Sequence, residues 1–201
     1  MRSESFSELK GGAKKEIAKI EKISRGYSLI ELLLVIAFIA GALVLAFVTY
    51  PKVQATSRAN VESQHLIAIS TGLRSLYATA RSFEGVGNRV MIDAKLVPDD
   101  MRVVGDVIYN VWDGTVSTVV ANHVERYMLT YTNVPAAECV KIATGAGVNF
   151  LALTIGDYTI FDRAYGVGYD DTGGGVTIKP ELAAQACQAN PNGNTMVFYA
   201  K

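Results

Sequence analysis

The sequence holds little from which an active site could be built. Its 201 residues include two histidines, two cysteines and one tryptophan. His65 and His123 stand far apart, and no serine sits in a Gly-x-Ser-x-Gly setting, which argues against a nucleophile elbow. There is no Cys-x-x-Cys, and no second ligand flanks His65 at a useful spacing, so a zinc site has no support. Asp157 and Asp162, and the neighbours Asp170 and Asp171, lack the spaced oxygen ligands of a known calcium loop. Gly173-Gly174-Gly175 lacks the lysine and following helix of a phosphate loop. Neither residues 1–26 nor the remainder of the chain carries a basic patch, so no nucleic-acid partner is expected. These absences point to a protein that is not an enzyme, with no cofactor and no metal.

Charge is also missing where it matters most. From Leu32 to Val48 no side chain is ionisable, inside a stretch that reads RGYSLIELLLVIAFIAGALVLAFVTY over residues 25–50. As a helix, residues 27–50 measure about 36 Å, enough to cross a bilayer's hydrocarbon core with some tilt. Seven Lys/Arg against four Glu precede it in residues 1–26, and the remaining residues 27–201 hold twelve against fifteen Asp/Glu. A positive segment before an apolar helix places the N-terminus in the cytoplasm and the remainder outside. The apolar core is too long for a secretory signal peptide, and no small-residue cleavage site follows it. A plain signal anchor fits the charge pattern but leaves Gly26 and Glu31 unexplained. An acidic side chain in such a helix costs roughly 2.5–3.5 kcal/mol at the bilayer centre, and less near the interface. Glu31 therefore calls for a partner or a task.

The rest of the chain reads as one modest domain. In residues 1–26, Leu9, Ala13, Ile17 and Ile20 recur at helical spacing. Pro51 predicts a kink. Beyond it, Val61, Leu66, Ile69, Leu73, Leu76 and Ala80 predict an apolar helical stripe, with Arg58, Glu62, Arg74 and Arg81 on the other side, ending at Gly85-Val86-Gly87-Asn88. His65 on this helix reads as a surface or packing residue. Residues 89–120 predict loop with short extended pieces: a turn at 97–101, and a hairpin around Asp113-Gly114. Trp112 beside it reads as a packed core residue. Strands are expected at 127–132, 150–155, 158–161 and 195–199. Helices are expected from Pro135 and from Lys179, and Gly-rich turns at 166–168 and 170–175. The order gives an α+β fold, a long first helix laid on an antiparallel sheet.

Cys139 and Cys187 both fall in the exported part. An even count in an oxidising compartment reads as one disulfide, while free thiols or a metal pair find no support. Closing a loop of about 48 residues removes roughly 4 kcal/mol of unfolded-state entropy in the chain-entropy model.

Arg25-Gly26-Tyr27-Ser28-Leu29-Ile30-Glu31, followed directly by the apolar run, resembles the processing site of type IV prepilins. The resemblance implies that prepilin peptidase cuts between Gly26 and Tyr27 and that the new Tyr27 amine is a site of methylation. It makes Glu31 the fifth mature residue, neutralising the amine of a neighbouring subunit. A long leader and a first residue other than Phe resemble the type IVb branch. The Val-Pro-x-x-Met turn at Val97 and Asn110-Val111-Trp112-Asp113-Gly114-Thr115-Val116 resemble major prepilins of conjugative-plasmid thin pili, with Asp113 in place of a Gly. Pro135-Ala136-Ala137-Glu138-Cys139, with Cys187, resembles the disulfide-bounded C-terminal region of type IV pilins.

The expected organisation is a cleaved leader over 1–26, a membrane and filament-core helix over 27–50, its amphipathic continuation over 51–84, and a pilin head over 85–201. Within the head, residues 139–187 form the disulfide-bounded region. The resemblance implies a homo-oligomeric helical filament, with prepilin peptidase, an assembly ATPase, an inner-membrane platform protein and a secretin as partners. The chain starts in the inner membrane with its head periplasmic and ends in an extracellular pilus serving adhesion or cell–cell contact, including conjugative mating. The rival readings are a minor pilin, a type II secretion pseudopilin, and a signal-anchored periplasmic binding domain or enzyme.

Overall fold

The computed structural model describes residues 28–163 and 178–201. The leader, Gly26, Tyr27 and the Gly-rich turns expected at 166–168 and 170–175 lie outside the described residues. The chain divides into two compact units, Met1–Tyr50 and Pro51–Lys201. Helix α1 (Leu29–Leu76) contributes its first part to one unit and the rest to the other, and its backbone stays helical across Gly41 and Pro51.

In the unit ending at Tyr50, the described residues form helix alone, and none of those from Leu29 to Phe47 is buried. That is what an unbroken apolar sequence gives: it forms helix, but it carries no polar face to turn toward water.

In the second unit α1 buries Ala59, Glu62, Leu66, Ile69, Ser70 and Leu73. The spacing 59–62–66–69–73 alternates three and four residues, so these positions share one face. Two expectations need correction. Val61 and Leu76 are exposed, whereas Glu62, expected among the solvent-facing residues, is only 2% exposed. The helix also stops at Leu76, short of Ala80 and Gly85. Tertiary packing ends it: Tyr77 and Phe83 stack with ring centroids 5.1 Å apart, Phe83 lies 4.7 Å from the Tyr127 ring, and the Phe83 N–H donates to the Val124 carbonyl at 2.7 Å.

The expected loop after residue 88 contains a short helix, α2 (Asn88–Asp93), which buries Met91. Asn88 stitches it to the sheet, its Nδ2 donating to the carbonyls of Asp106 and Val116 and its Oδ1 accepting from the Thr118 N–H. These three bonds give the segment a tertiary anchor that its local sequence does not advertise.

Among the described residues the sheet has seven strands: β1 (Arg102–Val104), β2 (Val107–Tyr109), β3 (Thr115–Val120), β4 (Tyr127–Val134), β5 (Ala152–Ile155), β6 (Tyr158–Asp162) and β7 (Asn194–Ala200). Their order is β1-β2-β3-β4-β7-β5-β6, and every neighbouring pair is antiparallel. The last strand of the chain thus lies inside the sheet. The alternation expected of strand 127–132 appears as burial of Tyr127, Leu129 and Tyr131, which face the core with Met196 and Phe198 of β7. The hairpin expected around Asp113-Gly114 joins β2 and β3, with Asp113 in the left-handed region at φ 58°. Gly114 is required there: a Cβ on it would stand 1.9 Å from the Thr132 carbonyl oxygen. Helix α3 (Ala136–Gly145) follows Pro135, and α4 (Pro180–Gln188) opens on Pro180, a residue whose missing N–H and fixed φ suit the first turn.

Candidate assembly surface and the family of the chain

The functional geometry has two parts, one in each unit. In the first, the side chains from Leu29 to Phe47 are exposed by 48–77% at every large hydrophobic position. A surface of this kind is strongly unfavourable in water, at about 25 cal/mol per Å² of apolar area, and is covered by lipid or by protein. The one ionisable group within it is Glu31. It sits in the first turn of α1, its backbone N–H donating to the Ser28 carbonyl at 2.9 Å. A carboxylate is favoured there by the positive end of the helix dipole. Gly26 and Tyr27 lie outside the described residues, so the residues on either side of the expected cut have no geometry to report.

In the second unit a disulfide joins Cys139 on α3 to Cys187 on α4, both fully buried. Asn194 on β7 locks the same corner, donating from Nδ2 to the carbonyls of Cys187 and Val134 at 2.8 and 3.2 Å. The disulfide thus joins the two helices covalently, and Asn194 ties the end of α4 to the sheet by hydrogen bonds.

Sequence reasoning missed a polar cluster on α1. Glu62 Oε1 accepts the Val111 N–H at 2.8 Å, and its Oε2 lies 3.6 Å from His65 Nδ1. On the far side of the ring, His65 Nε2 is 3.0 Å from Asp100. The heptad-like position of Glu62 between Ala59 and Leu66 was the available signal. The Glu62 carboxylate beside the ring raises the His65 pKa against the opposing effect of burial. Nearby Tyr131 has its pKa raised well above the usual value, first by burial and then by the Glu62 charge. Trp112 packs half-buried against the core, as expected.

The family model described as PilS N terminal matches residues 56–201. The chain belongs to that family and is a type IV pilin. The pilin fold is similar to that in the crystal structure of TcpA, a type IV pilin from Vibrio cholerae El Tor biotype. The TM-score is 0.50 at 12% identity, covering 74% of this chain and 99% of that chain. No curated protein matches the sequence. As a pilin the chain is a structural subunit of a filament and not an enzyme. Its exposed apolar helix is compatible with membrane anchoring before assembly.

Proposed function

We propose that this pilin is made as a type IVb prepilin and becomes the repeating subunit of a surface filament. Prepilin peptidase cuts between Gly26 and Tyr27 on the cytoplasmic face of the inner membrane, and the new Tyr27 amine is methylated. Residues 27–50 span the membrane while the head is periplasmic. An assembly ATPase, a platform protein and a secretin then drive the subunits outward. In the fibre the apolar helices bundle at the centre, and Glu31 of one subunit pairs with the Tyr27 amine of another. Head-to-tail contacts that do not close produce an open filament. The filament serves adhesion or cell–cell contact, including conjugative mating.

One observation carries this reading: the stretch of α1 from Leu29 to Phe47 is exposed at every described position and bears a single charge, Glu31. A buried charge needs a counter-charge, and peptidase cleavage creates one at the right end of the helix. Mass spectrometry of protein sheared from the cell surface tests it. The expected chain begins at Tyr27, carries a methyl group, and is replaced by uncut, unassembled protein in Gly26→Ala. A chain that keeps residues 1–26 in the membrane fraction and never enters the sheared fraction overturns it.

A further inference from the structure

Four buried side-chain atoms have no hydrogen-bond partner among the described residues: Glu62 Oε2, His65 Nδ1, Trp112 Nε1 and Tyr131 Oη. The first two face each other at 3.6 Å. They line a cleft of about 260 Å³ together with Asp100, Arg102, Tyr109 and Asp113.

The charges around this cleft leave His65 in a singular position. From α1 come Glu62 and His65, from the turn before β1 comes Asp100, and from β1 comes Arg102. Tyr109 on β2, Asp113 in the following loop and Tyr131 on β4 complete the titratable groups among the described residues. Arg102 is already committed, with Nη2 2.6 Å from Asp113 and its guanidinium 3.8 Å above the Tyr109 ring. Glu62 is 2% exposed and receives one N–H, that of Val111. Its second oxygen faces an imidazole nitrogen, and the other nitrogen of that ring faces a second carboxylate. A neutral imidazole has one N–H, so it leaves one of these contacts as lone pair against lone pair; an imidazolium satisfies both. Without that proton, Glu62 is a buried carboxylate with no cation beside it, which is costly.

We propose that His65 is a proton-operated clamp: as an imidazolium it joins Glu62 on α1 to Asp100, and through Glu62 it holds the loop 110–114 against the helix. Loss of the proton frees Asp100 and removes the cation from Glu62, which loosens its hold on the Val111 N–H. The loop carries exposed Val111 and Asp113, so the device alters a part of the pilin surface rather than the core. The raised pKa of His65 fixes the sign. The clamp is closed at low pH and opens as pH rises through the folded-state value.

The full chain in detergent micelles, labelled with ¹⁵N-histidine, tests the clamp. His65 and His123 are the sequence's two histidines, so a His123→Gln background leaves His65 as the single labelled ring, read against free histidine in the same buffer. The expected His65 midpoint lies above that of free histidine, as for a group beside opposite charges. Hydrogen exchange of the Val111 amide, corrected for intrinsic rate and referred to the Leu129 amide, accelerates over the same interval. Glu62→Gln keeps an acceptor for Val111 but removes the charge. It lowers the His65 midpoint toward that of free histidine and abolishes the pH dependence at Val111. Asp100→Asn, at an exposed side chain that puts the fold at no risk, lowers the midpoint by less. Titration of His65 at the midpoint of free histidine, or Val111 protection that ignores the His65 midpoint, overturns the clamp.

Discussion

The Tyr127 hydroxyl lies 2.8 Å from Ser70 Oγ and 3.1 Å from the Ser70 carbonyl oxygen, so β4 and α1 share a satisfied hydrogen-bonded pair inside the core. The phenol donates to the carbonyl and accepts from the serine hydroxyl. Two residues along the same face of β4, the Tyr131 hydroxyl is equally withdrawn from water and has no partner among the described residues. Two tyrosines in one strand thus stand in opposite energetic states. Tyr127→Phe strands the Ser70 hydroxyl and is expected to destabilise the pilin by about 1–3 kcal/mol. Tyr131→Phe removes an unsatisfied donor from beside Glu62 and is expected to be neutral or stabilising. Chemical denaturation of the two variants decides it; equal losses would remove the distinction.

Gly114 offers a second contrast. A methyl group there meets the Thr132 backbone at 1.9 Å, and the same segment is held by Asn110, whose Oδ1 accepts the Gly114 N–H and whose Nδ2 donates to the Thr132 carbonyl. Backbone cannot step aside as a flexible side chain can. Gly114→Ala is expected to cost about 3 kcal/mol or more through overpacking. Gly105→Ala, at φ 61° in open space, should cost only the left-handed penalty of about 1–2 kcal/mol. Thermal melts of both variants measure the difference, and a milder effect at Gly114 would contradict the close approach.

Much of this fold was legible because local chemistry and tertiary structure agree. Alternation marked the strand through Tyr127, Leu129 and Tyr131, Asp113-Gly114 marked the hairpin, and Pro135 and Pro180 stand at the starts of their helices. Where they disagree, the reading failed. The segment 88–93 is helical because Asn88 reaches the sheet, not because of its own propensity. The helix ends at Leu76 because Tyr77 and Phe83 find ring partners. Glu62 occupies an apolar position in the spacing, but its residue type argued for solvent; only the Val111 N–H and His65 make its burial tolerable. A composition-based reading sees none of those partners.

The disulfide lends itself to a direct test. Cys139 and Cys187 are separated by 48 residues and sit where α3 meets α4, sealed from solvent. Removing such a link from a small domain costs about 2–5 kcal/mol. Cys139→Ala with Cys187→Ala is expected to lower the midpoint of urea unfolding accordingly, and reduction of the wild type should reproduce the shift. A double variant as stable as wild type would show that Asn194 and the surrounding core already hold this corner.

The last prediction concerns Glu31. In a membrane its carboxylate lies at the start of the apolar run, where interfacial water and the helix dipole both favour charge. In a fibre core neither water nor lipid headgroups are present, and the proposed partner is the Tyr27 amine of a neighbouring subunit. Removing one member of a buried pair leaves the other charge uncompensated, at about 3–5 kcal/mol per contact. The loss recurs at every subunit, so the fibre should fail even though each monomer is sound. Glu31→Gln, which keeps shape and hydrogen bonding, is expected to insert in the membrane and to be cut at Gly26. It should then be missing from sheared surface material. Immunoblots of the membrane and sheared fractions, with the N-terminus read by mass spectrometry, separate the two steps. Normal fibres from Glu31→Gln would show that the amine has another partner, and that the single charge in the apolar helix serves the membrane stage alone.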